Sequence, residues 1–271
     1  MNEKYKGIAL VTGAFSGIGL ATARALQRDG YRVFGTSRKA VTDVSDGITS
    51  LICDVTDEES VQNAVDEVIR LTGRIDLLVN NAGIGLLGGA EESSPTQARA
   101  LFDVNVFGVL LATNAVLPVM RRQQKGRIIN MSSILGLIPA PYNALYAATK
   151  HAIEGYSESL DHEVRTQGIR VVLVEPGVTR TAFEENLTRA DQPIPLYDTA
   201  RAGVETLTRE LVEAGDAPEV VADIVVKAAN AVSPKRRYTA GKAAGQVRFM
   251  RRFLPESFVD KNLRKFSRLP A

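Results

Sequence analysis

Short apolar segments alternate with longer helical segments through most of this 271-residue chain. The run GIALVTG is followed by the helical stretch IGLATARALQRDG, and the apolar series continues with YRVFGTS, ITSLICDV, IDLLVNNAG, GRIINMSS and IRVVLVEPG. Apolar strands separated by helices of ten or more residues are typical of a parallel sheet that is buried on both faces. The pattern predicts an α/β fold, a Rossmann-like doubly wound parallel sheet with helices on both faces. No linker or repeat divides it, so we expect a single domain over residues 1–271.

Two features of the sequence indicate the cellular compartment of the protein. No run of about 18 uncharged apolar residues is present to span a membrane, and the amino terminus passes from a few polar residues straight into a strand without a secretory signal. The one cysteine, Cys53, excludes an intramolecular disulfide framework and lies in an apolar run, where a buried strand thiol is expected. We therefore expect a soluble, cytoplasmic protein.

Two longer segments connect the later strands. SPTQARALFDVNVFGVLLATNAVLPVMRRQ predicts one long helix, with Ser94 as its N-cap and Pro95 at its first position. After the sixth strand, residues 183–217 are polar and contain two prolines. Such an excursion lies at the carboxyl ends of the strands, where open parallel sheets bind their ligands, so residues 183–217 are a candidate substrate lid.

The first strand ends in TGAFSGIG, which places Gly13, Gly17 and Gly19 at a strand-to-helix turn. Glycines at such a turn let the backbone approach a pyrophosphate, and the N-terminus of the following helix stabilises its charge. The spacing departs from G-x-G-x-x-G, and a merely tight turn is the alternative. The position of the turn, after the first strand of a βαβ series, favours a nucleotide site.

The second strand ends in FGTSRKA, where an acid that binds the ribose hydroxyls of NAD would be expected. Instead, Ser37 is followed by Arg38 and Lys39. A guanidinium binds a 2′-phosphate with two hydrogen bonds, whereas a carboxylate would repel it. The sequence therefore favours NADP over NAD, and an ordinary surface arginine is the alternative interpretation.

Two further segments are compatible with a bound dinucleotide. Asp54 would accept a hydrogen bond from the adenine amino group, with Val55 against the ring, although a loop acid before a helix explains Asp54 nearly as well. The NNAG segment at residues 80–83 ends the fourth strand, and its small residues permit a close approach to the cofactor.

The helix that begins in YNALYAATK carries a candidate catalytic pair. Tyr146 and Lys150 are four residues apart and therefore share a helix face, whereas Tyr142 faces elsewhere and is expected to pack or to line the pocket. A nearby ammonium stabilises a phenolate and lowers the pKa of tyrosine, which makes it a usable acid or base. An ordinary Tyr–Lys helix pair is the alternative.

The ordered set TGAFSGIG, NNAG, INMSS, Tyr-x-x-x-Lys and PGVTRT resembles the short-chain dehydrogenase/reductase family over roughly the first 180 residues. The resemblance implies that Tyr146 is the general acid/base, and that Lys150 lowers its pKa and binds the nicotinamide ribose. It also implies that Ser133, rather than Ser132, binds the substrate oxygen, and that Asn105 holds a water linked to Lys150. The implied cofactor contacts, together with Tyr146 and Lys150, are Gly13, Ser16, Gly17, Ile18, Gly19, Ser37, Arg38, Asp54, Val55, Asn81, Ala82, Gly83, Pro176, Gly177, Val178 and Thr179.

The same resemblance implies hydride transfer between NADP(H) and a secondary alcohol or ketone, or a primary alcohol or aldehyde, without a metal. A looser likeness to the hydroxysteroid and retinol dehydrogenase branch suggests an apolar substrate. The candidate pocket residues are Leu135, Ile138, Tyr142, Phe183 and Leu187. Two alternatives remain open, a ketoacyl-carrier reductase and a non-catalytic NADP-binding sensor or scaffold. By resemblance, we expect a homodimer or homotetramer.

The charge of the chain is unevenly placed. From Lys235 onward the chain has eleven Lys and Arg and two acidic residues, a net charge of +9. The net charge of the whole chain is only +2, so the part before Lys235 is acidic. In the basic C-terminal segment, residues 241–271, cations alternate with phenylalanines at roughly helical spacing. We expect helices that pack the phenylalanines on the body or on a partner subunit while the cations remain in water, rather than a nucleic-acid or membrane patch.

Overall fold

Seven parallel strands form the central sheet of the protein, seen in a computed structural model that describes residues 5–41, 47–183 and 187–269. The strands in this part of the chain are β1 (Gly7–Val11), β2 (Tyr31–Ser37), β3 (Thr49–Ile52), β4 (Leu77–Asn80), β5 (Leu86–Leu87), β6 (Gly126–Met131), β7 (Ile169–Pro176), β8 (Thr188–Arg189) and β9 (Arg237–Ala240). The sheet order is β3-β2-β1-β4-β6-β7-β9, and β5 pairs with β8 in a separate ladder. Every pair is parallel, which confirms the predicted fold.

Helices cover both faces of this sheet. They are α1 (Gly17–Arg28), α2 (Glu58–Thr72), α3 (Pro95–Phe102), α4 (Gly108–Gln123), α5 (Ala144–Val164), α6 (Asp198–Glu213), α7 (Pro218–Asn230), α8 (Lys242–Phe253) and α9 (Glu256–Phe266). On one face, Val61 of α2, Val116 of α4 and Leu160 of α5 pack against the strands. On the other, Leu26 of α1 and Val225 of α7 do the same. Because both faces are covered, the strands are apolar throughout, as the sequence indicates.

The topology opens a crevice at one edge of the sheet. The chain leaves β1 for β2 on one side and later adds β4 on the other side of β1, so the connections at their carboxyl ends diverge. Open α/β sheets bind ligands at such a switch point. The glycine turn after β1 and the NNAG segment after β4 both lie there.

Buried polar groups fix helix α5 on the sheet. The fully buried carboxylate of Asp161 accepts hydrogen bonds from the backbone N–H of Val171 at 3.0 Å and from Arg170 at 2.9 Å, both on β7. On β6, Asn130 Nδ2 donates to Ser157 Oγ of α5 at 2.8 Å. Since a buried polar group without its partner is costly, these bonds set the rotation of α5 and hence the direction of its side chains.

The predicted long helix from Ser94 begins as expected and is then interrupted. Ser94 Oγ accepts a hydrogen bond from Gln97 N at 3.1 Å, and Pro95 is the first residue of α3. Residues Asp103–Phe107 form a π turn between α3 and α4, so the prediction of one regular helix is wrong here. By length and composition Pro95–Gln123 would suffice to cross a membrane, and half of its most apolar window is buried inside the fold.

The candidate lid, residues 183–217, is partly helical and is anchored to the loop that follows β4. Residues 184–186 of it lie outside the described residues. The lid contributes β8, which pairs with β5, and helix α6. The fully buried carboxylate of Glu92 accepts a hydrogen bond from Ile194 N at 2.8 Å and pairs with Arg201 of α6.

The C-terminal part of the chain differs from the sequence predictions in two respects. The strand β9 completes the sheet beside β7, and no strand was predicted there. Helices α8 and α9 follow, as expected, but their phenylalanines do not pack on the body of the domain. Four phenylalanines are at least half exposed, so packing on the body is wrong for them and packing on a partner subunit stays a prediction: Phe249, Phe253, Phe258 and Phe266.

Candidate active site

Hydrogen bonds join the glycine turn after β1 to the NNAG segment after β4. Asn81 Nδ2 donates to the carbonyl oxygens of Thr12 and Gly13, each at 3.0 Å. The Thr12 hydroxyl accepts from the backbone N–H groups of Asn81 and Ala82, each also at 3.0 Å. These bonds place both turns together at the switch point of the sheet.

The glycine turn has the shape of a phosphate cradle. A Cβ atom at Gly19 would lie 2.0 Å from the carbonyl oxygen of Gly13, so only glycine lets α1 start against the turn. Gly17 has a φ of +48° and faces Thr181, which comes from the loop after β7. Ser16 is the extended N-cap of α1. A helix start that is open to backbone approach suits an anion, so these residues fit the pyrophosphate of a dinucleotide.

The other predicted cofactor residues lie along the same edge of the sheet. Ser37 ends β2, its hydroxyl accepts from Lys39 N at 3.3 Å, and Arg38 follows it. Asp54 accepts from the backbone N–H and hydroxyl of Thr56, at 2.9 and 2.8 Å, which lowers its pKa. That turn matches the loop-acid interpretation of Asp54. The remaining residues follow β3, open α1, follow β4, or end and follow β7: Val55, Ile18, Gly83, Pro176, Gly177, Val178 and Thr179.

Three of the predicted catalytic side chains meet near the end of β6. Lys150 Nζ lies 5.5 Å from the centre of the Tyr146 ring and donates to the carbonyl oxygen of Met131 at 2.9 Å. The side chain of Ser133 lies near the Tyr146 hydroxyl, where it acts to lower the pKa of that tyrosine. The Ser133 oxygen accepts from Leu135 N at 3.1 Å, which orients it. The spacing of Tyr146 and Lys150 on one helix therefore brings them together as predicted.

Burial dominates the pKa of both α5 side chains. It raises the pKa of Tyr146 to about 12, against the opposing effect of the Ser133 side chain. It lowers the pKa of Lys150 to about 8, against the opposing effect of Glu154. Burial therefore outweighs any lowering of the Tyr146 pKa, and the predicted contribution of Lys150 to that lowering stays a prediction. At pH 7 the neutral phenol prevails, and a neutral phenol is a proton donor rather than a base.

The π turn places Asn105 beside α5, the helix of Tyr146 and Lys150. Asn105 is buried, and its side chain accepts from Ile84 N and donates to Ile84 O, both at 2.9 Å. Its Nδ2 also lies 3.3 Å from the hydroxyl of Thr149, which in turn donates to the carbonyl oxygen of Tyr146 at 2.7 Å. Asn105 thus links the loop after β4 to α5. Its predicted role in holding a water stays a prediction.

A buried carboxylate cluster lies behind Lys150, and no motif of the sequence had indicated it. Arg237 Nε donates to Glu154 at 2.8 Å, and its Nη1 donates to Glu158. The same Nε lies 3.1 Å from Glu175 Oε1, but without hydrogen-bond geometry. Burial, with the charge of Glu154, raises the pKa of Glu175 to about 7. Among the described residues, Ser132 Oγ, Glu154 Oε1 and both Glu175 oxygens have no hydrogen-bond partner.

Apolar side chains of the lid segment approach the tyrosine. The rings of Phe183 and Tyr146 lie 6.1 Å apart. A Cβ atom at Gly85 would lie 2.1 Å from Leu187 and 2.9 Å from Phe183, so both side chains converge on this glycine. Two of the predicted pocket residues are therefore together beside Tyr146.

The other predicted pocket residues lie between β6 and α5. Tyr142 adopts a left-handed φ of 61°, and its carbonyl oxygen accepts from Gly88 N at 2.8 Å. Its ring meets that of Tyr197, near the start of α6, edge-on at 6.1 Å. It therefore faces the lid rather than Lys150, as predicted. Leu135 and Ile138 are half-buried in the segment that follows β6.

Fold and site together define a class of protein, an α/β nucleotide-binding domain in which a tyrosine, a serine and a lysine converge beside the nucleotide crevice. Residues 7–192 match the family model for short chain dehydrogenases. The chain belongs to the short-chain dehydrogenase family, and it is an oxidoreductase of that family.

Relatives of known sequence extend this likeness. The 3-ketodihydrosphingosine reductase of Bacteroides thetaiotaomicron is 44% identical over 179 residues, which are 66% of each chain. The uncharacterized oxidoreductase YbbO of Escherichia coli is 38% identical over 259 residues, which cover 94% of this chain and 93% of YbbO. Retinol dehydrogenase 8 of Bos taurus is 36% identical over 249 residues, with 84% and 79% covered.

Solved structures show the same architecture. A short-chain dehydrogenase of Streptomyces avermitilis superposes with a TM-score of 0.83 at 32% identity, over 99% of this chain and 98% of the other. ElxO with NADP bound superposes with a TM-score of 0.74 at 27% identity, over 89% of this chain and 99% of ElxO. A tyrosine-to-phenylalanine variant of ElxO was solved with NADPH bound, with a TM-score of 0.72 at 27% identity, over 86% and 96%.

Proposed function

We propose that the protein reduces a carbonyl group on an apolar small molecule with NADPH, and that it catalyses the reverse oxidation of the alcohol. The observation that carries this proposal is the convergence of the side chains of Tyr146, Ser133 and Lys150 near the end of β6. Two hydroxyls that meet in this way can bind one carbonyl oxygen between them. Lys150 lies behind the pair and Phe183 beside it, so the carbonyl would meet a proton donor in an apolar pocket.

The proposed reaction uses each of these side chains once. The glycine turn would hold NADPH, which would supply a hydride to the carbonyl carbon. Ser133 donates a hydrogen bond to the carbonyl oxygen, and Tyr146 gives that oxygen its proton as charge develops on it. The ammonium of Lys150 stabilises the phenolate that remains, until solvent returns a proton to Tyr146.

The preference for NADPH rests on the end of β2. Ser37 leaves no carboxylate there, and the exposed Arg38 follows it. ElxO, a structural relative, binds NADP. A charged hydrogen bond contributes about 1.5–3 kcal/mol, so Arg38→Asp is expected to reduce the kcat/KM ratio of NADPH to NADH by roughly 10- to 100-fold.

A matched control for this substitution is Arg28→Asp, which removes another exposed arginine, in the last turn of α1. It is expected to leave the cofactor preference unchanged. A wild-type protein that uses NADH better than NADPH would contradict the assignment of Arg38.

The substrate is proposed to be apolar because the lid brings Phe183 and Leu187 to Gly85, next to the reacting hydroxyls. The names of two relatives denote a sphingoid ketone and retinol as substrates. Both are apolar carbonyl or alcohol compounds with one reacting oxygen. Aliphatic and isoprenoid ketones, aldehydes and alcohols therefore belong first in a substrate screen.

Tyr146→Phe tests the chemistry in that screen, with nicotinamide absorbance as the signal. Loss of a general acid reduces rates by about 10²- to 10⁴-fold, whereas NADPH binding, followed by fluorescence, should persist. The phenylalanine variant of ElxO retains NADPH. Tyr142→Phe is the matched control and should retain turnover, because Tyr142 lies against Tyr197 of the lid. Full activity of the Tyr146 variant would show that another group supplies the proton.

The same experiment separates the remaining alternatives. A sensor or scaffold would bind NADPH and turn over none of the carbonyl compounds, with or without Tyr146. A ketoacyl-carrier reductase would turn over carrier-linked β-ketoacyl thioesters and leave free ketones untouched.

A further inference from the structure

The end of helix α8 carries an apolar ridge that the described part of the chain leaves largely exposed. Phe249 and Phe253 are four residues apart, their rings lie 5.0 Å from one another, and they are 59% and 64% exposed. Met250 between them is 38% exposed. In α9, Phe258 and Phe266 are also at least half exposed. Several large apolar side chains on adjoining surface helices mark an interaction site rather than scattered exposure.

A basic groove of about 710 Å³ runs beside this ridge. Five exposed cations line it, Lys227 of α7, Lys235 and Arg236 before β9, and Arg248 and Arg252 of α8. Its sixth cation, Arg237, is already paired with Glu154 and with Glu158, the single carboxylate in the lining. The groove therefore offers a concentrated positive charge that no carboxylate of its own lining neutralises.

Ridge and groove are parts of one surface. Arg248 and Arg252 each precede a phenylalanine of the ridge, and the guanidinium of Arg252 lies 5.8 Å from the Phe253 ring. The chain from Lys235 onward carries +9, so the surrounding field is positive as well. An occupant of this surface must offer negative charges to the groove and an apolar layer to the phenylalanines at the same time.

A second copy of the chain does not meet this requirement, because it would bring the same cations face to face. Single-stranded nucleic acid offers phosphates, but the contact between the Phe249 and Phe253 rings leaves no gap for a base between them. An anionic bilayer supplies both the negative charges and the apolar layer. Its lipid phosphates lie at the surface, just outside the layer in which amphipathic helices bury their aromatic side chains.

We propose that the α8 ridge and the basic groove beside it dock the protein onto an anionic phospholipid bilayer. The attachment is peripheral, and it needs no membrane-spanning segment. Helix α8 starts against the cofactor edge of the sheet, where Ala244 faces Gly177, and it packs on the turn that follows Ser133. The ridge and the groove lie away from this edge, because Phe249 and Phe253 are at the end of α8 and Lys235 and Arg236 precede β9.

The test is co-sedimentation of the full chain with vesicles made of equal parts phosphatidylglycerol and phosphatidylcholine, compared with vesicles of phosphatidylcholine alone. Binding is expected only to the anionic vesicles and should weaken with salt. Since each Lys or Arg near such a surface contributes about fivefold in affinity, Arg248→Gln/Arg252→Gln should weaken binding by roughly 25-fold. Arg121→Gln/Arg122→Gln removes the same charge from the end of α4 and should have little effect.

The apolar contribution is tested separately with Phe249→Ser/Phe253→Ser. Both side chains are exposed, so the variant should melt like wild type while binding anionic vesicles at least tenfold more weakly. Equal binding of wild type to both kinds of vesicle would overturn the proposal. So would full competition by inorganic phosphate, which would indicate a site for free anions.

Two further outcomes would also refute it. A wild-type dimer that becomes a monomer in the Phe249→Ser/Phe253→Ser variant would show that the ridge is a subunit interface. Tighter binding of single-stranded DNA than of anionic vesicles, at the same salt, would show a nucleic-acid surface. None of these measurements uses turnover, so a failure of the proposed reductase activity would leave the docking result intact.

Discussion

Replacing Glu154 by Gln should move the pH dependence of catalysis without touching a reacting group. Glu154 follows Lys150 by one helical turn, is buried, and opposes the fall in the Lys150 pKa. The proposed mechanism needs the charged form of Lys150. The pKa of Lys150 is about 8, that of Tyr146 about 12. Reductase activity of the wild type should therefore decline above about pH 8, as Lys150 loses its proton.

The expected fall in the Lys150 pKa follows from the distance between Lys150 and Glu154. Side chains one turn apart are about 6 Å from each other, and two unit charges at that distance attract by roughly 3 kcal/mol at an effective dielectric constant near 20. Arg237 already donates to Glu154 at 2.8 Å and offsets part of that attraction. The Lys150 pKa should therefore fall by about one to two units in the variant.

A neighbouring acid limits the effect of the single substitution. Glu154 helps to raise the pKa of Glu175 to about 7, so its removal lets Glu175 ionise and supply part of the lost charge. Arg248 of α8 acts on Glu175 in the opposite direction. Glu154→Gln alone should then lower the pKa of Lys150 by about one unit, and Glu154→Gln/Glu175→Gln should lower it by nearly two units.

The assay is kcat/KM for NADPH-dependent reduction, measured from pH 6 to pH 10 for each variant. Glu158→Gln is the matched control, because Glu158 also pairs with Arg237 but is one turn further from Lys150 and more exposed. In Glu158→Gln, the pH at which kcat/KM falls on the alkaline side should stay within about 0.3 pH units of the wild-type value. An alkaline limb that does not move in the Glu154→Gln/Glu175→Gln variant would refute the link between this cluster and Lys150.

Three further predictions concern stability and reactivity. The pKa of Glu175 is raised from 4.5 to about 7, so the native state binds more protons than the unfolded state in this window, and stability falls as pH rises through it. Thermal unfolding should show Glu175→Gln more stable than wild type at pH 8, by up to about 3 kcal/mol, and unchanged at pH 4; equal stability at pH 8 would contradict this. Asp161→Asn leaves Arg165 and Arg170 without their carboxylate and should cost about 2–3 kcal/mol in urea unfolding, whereas a change below 0.5 kcal/mol would argue against its anchoring role. Burial raises the pKa of Cys53 to about 11, so native protein should resist iodoacetamide at pH 8 until urea unfolds it, and rapid native labelling would disagree.

The parallel sheet and the proximity of Tyr146 and Lys150 could be predicted because local patterns determine them. Strands covered on both faces must be apolar throughout, and a spacing of four residues places Tyr146 under Lys150 in any helix. Ser94 could likewise be identified as an N-cap from its position before Pro95. In each case the physical cause acts within a few residues of the signal.

The remaining parts depend on contacts between distant segments. The π turn around Asn105 follows from the fit of its amide to Ile84, which no local pattern reveals. The pKa of Tyr146 is set by burial, which the residue spacing does not report. The Glu154 cluster had a usable signal, an acid at the same four-residue spacing from Lys150. Its partner Arg237 comes from a strand that pairs with β7 only in the folded chain.

The π turn at Asp103–Phe107 also constrains how this chain can vary. A π turn is an α-helical turn with one extra residue. Deleting a single residue there would restore an unbroken helix, and would rotate everything on one side of the cut by about 100° relative to the other. Such a shortened chain would gain regular hydrogen bonds and lose the alignment of Asn105 with Ile84. Natural and engineered variants should therefore tolerate changes of length in the surrounding loops far better than in these five positions.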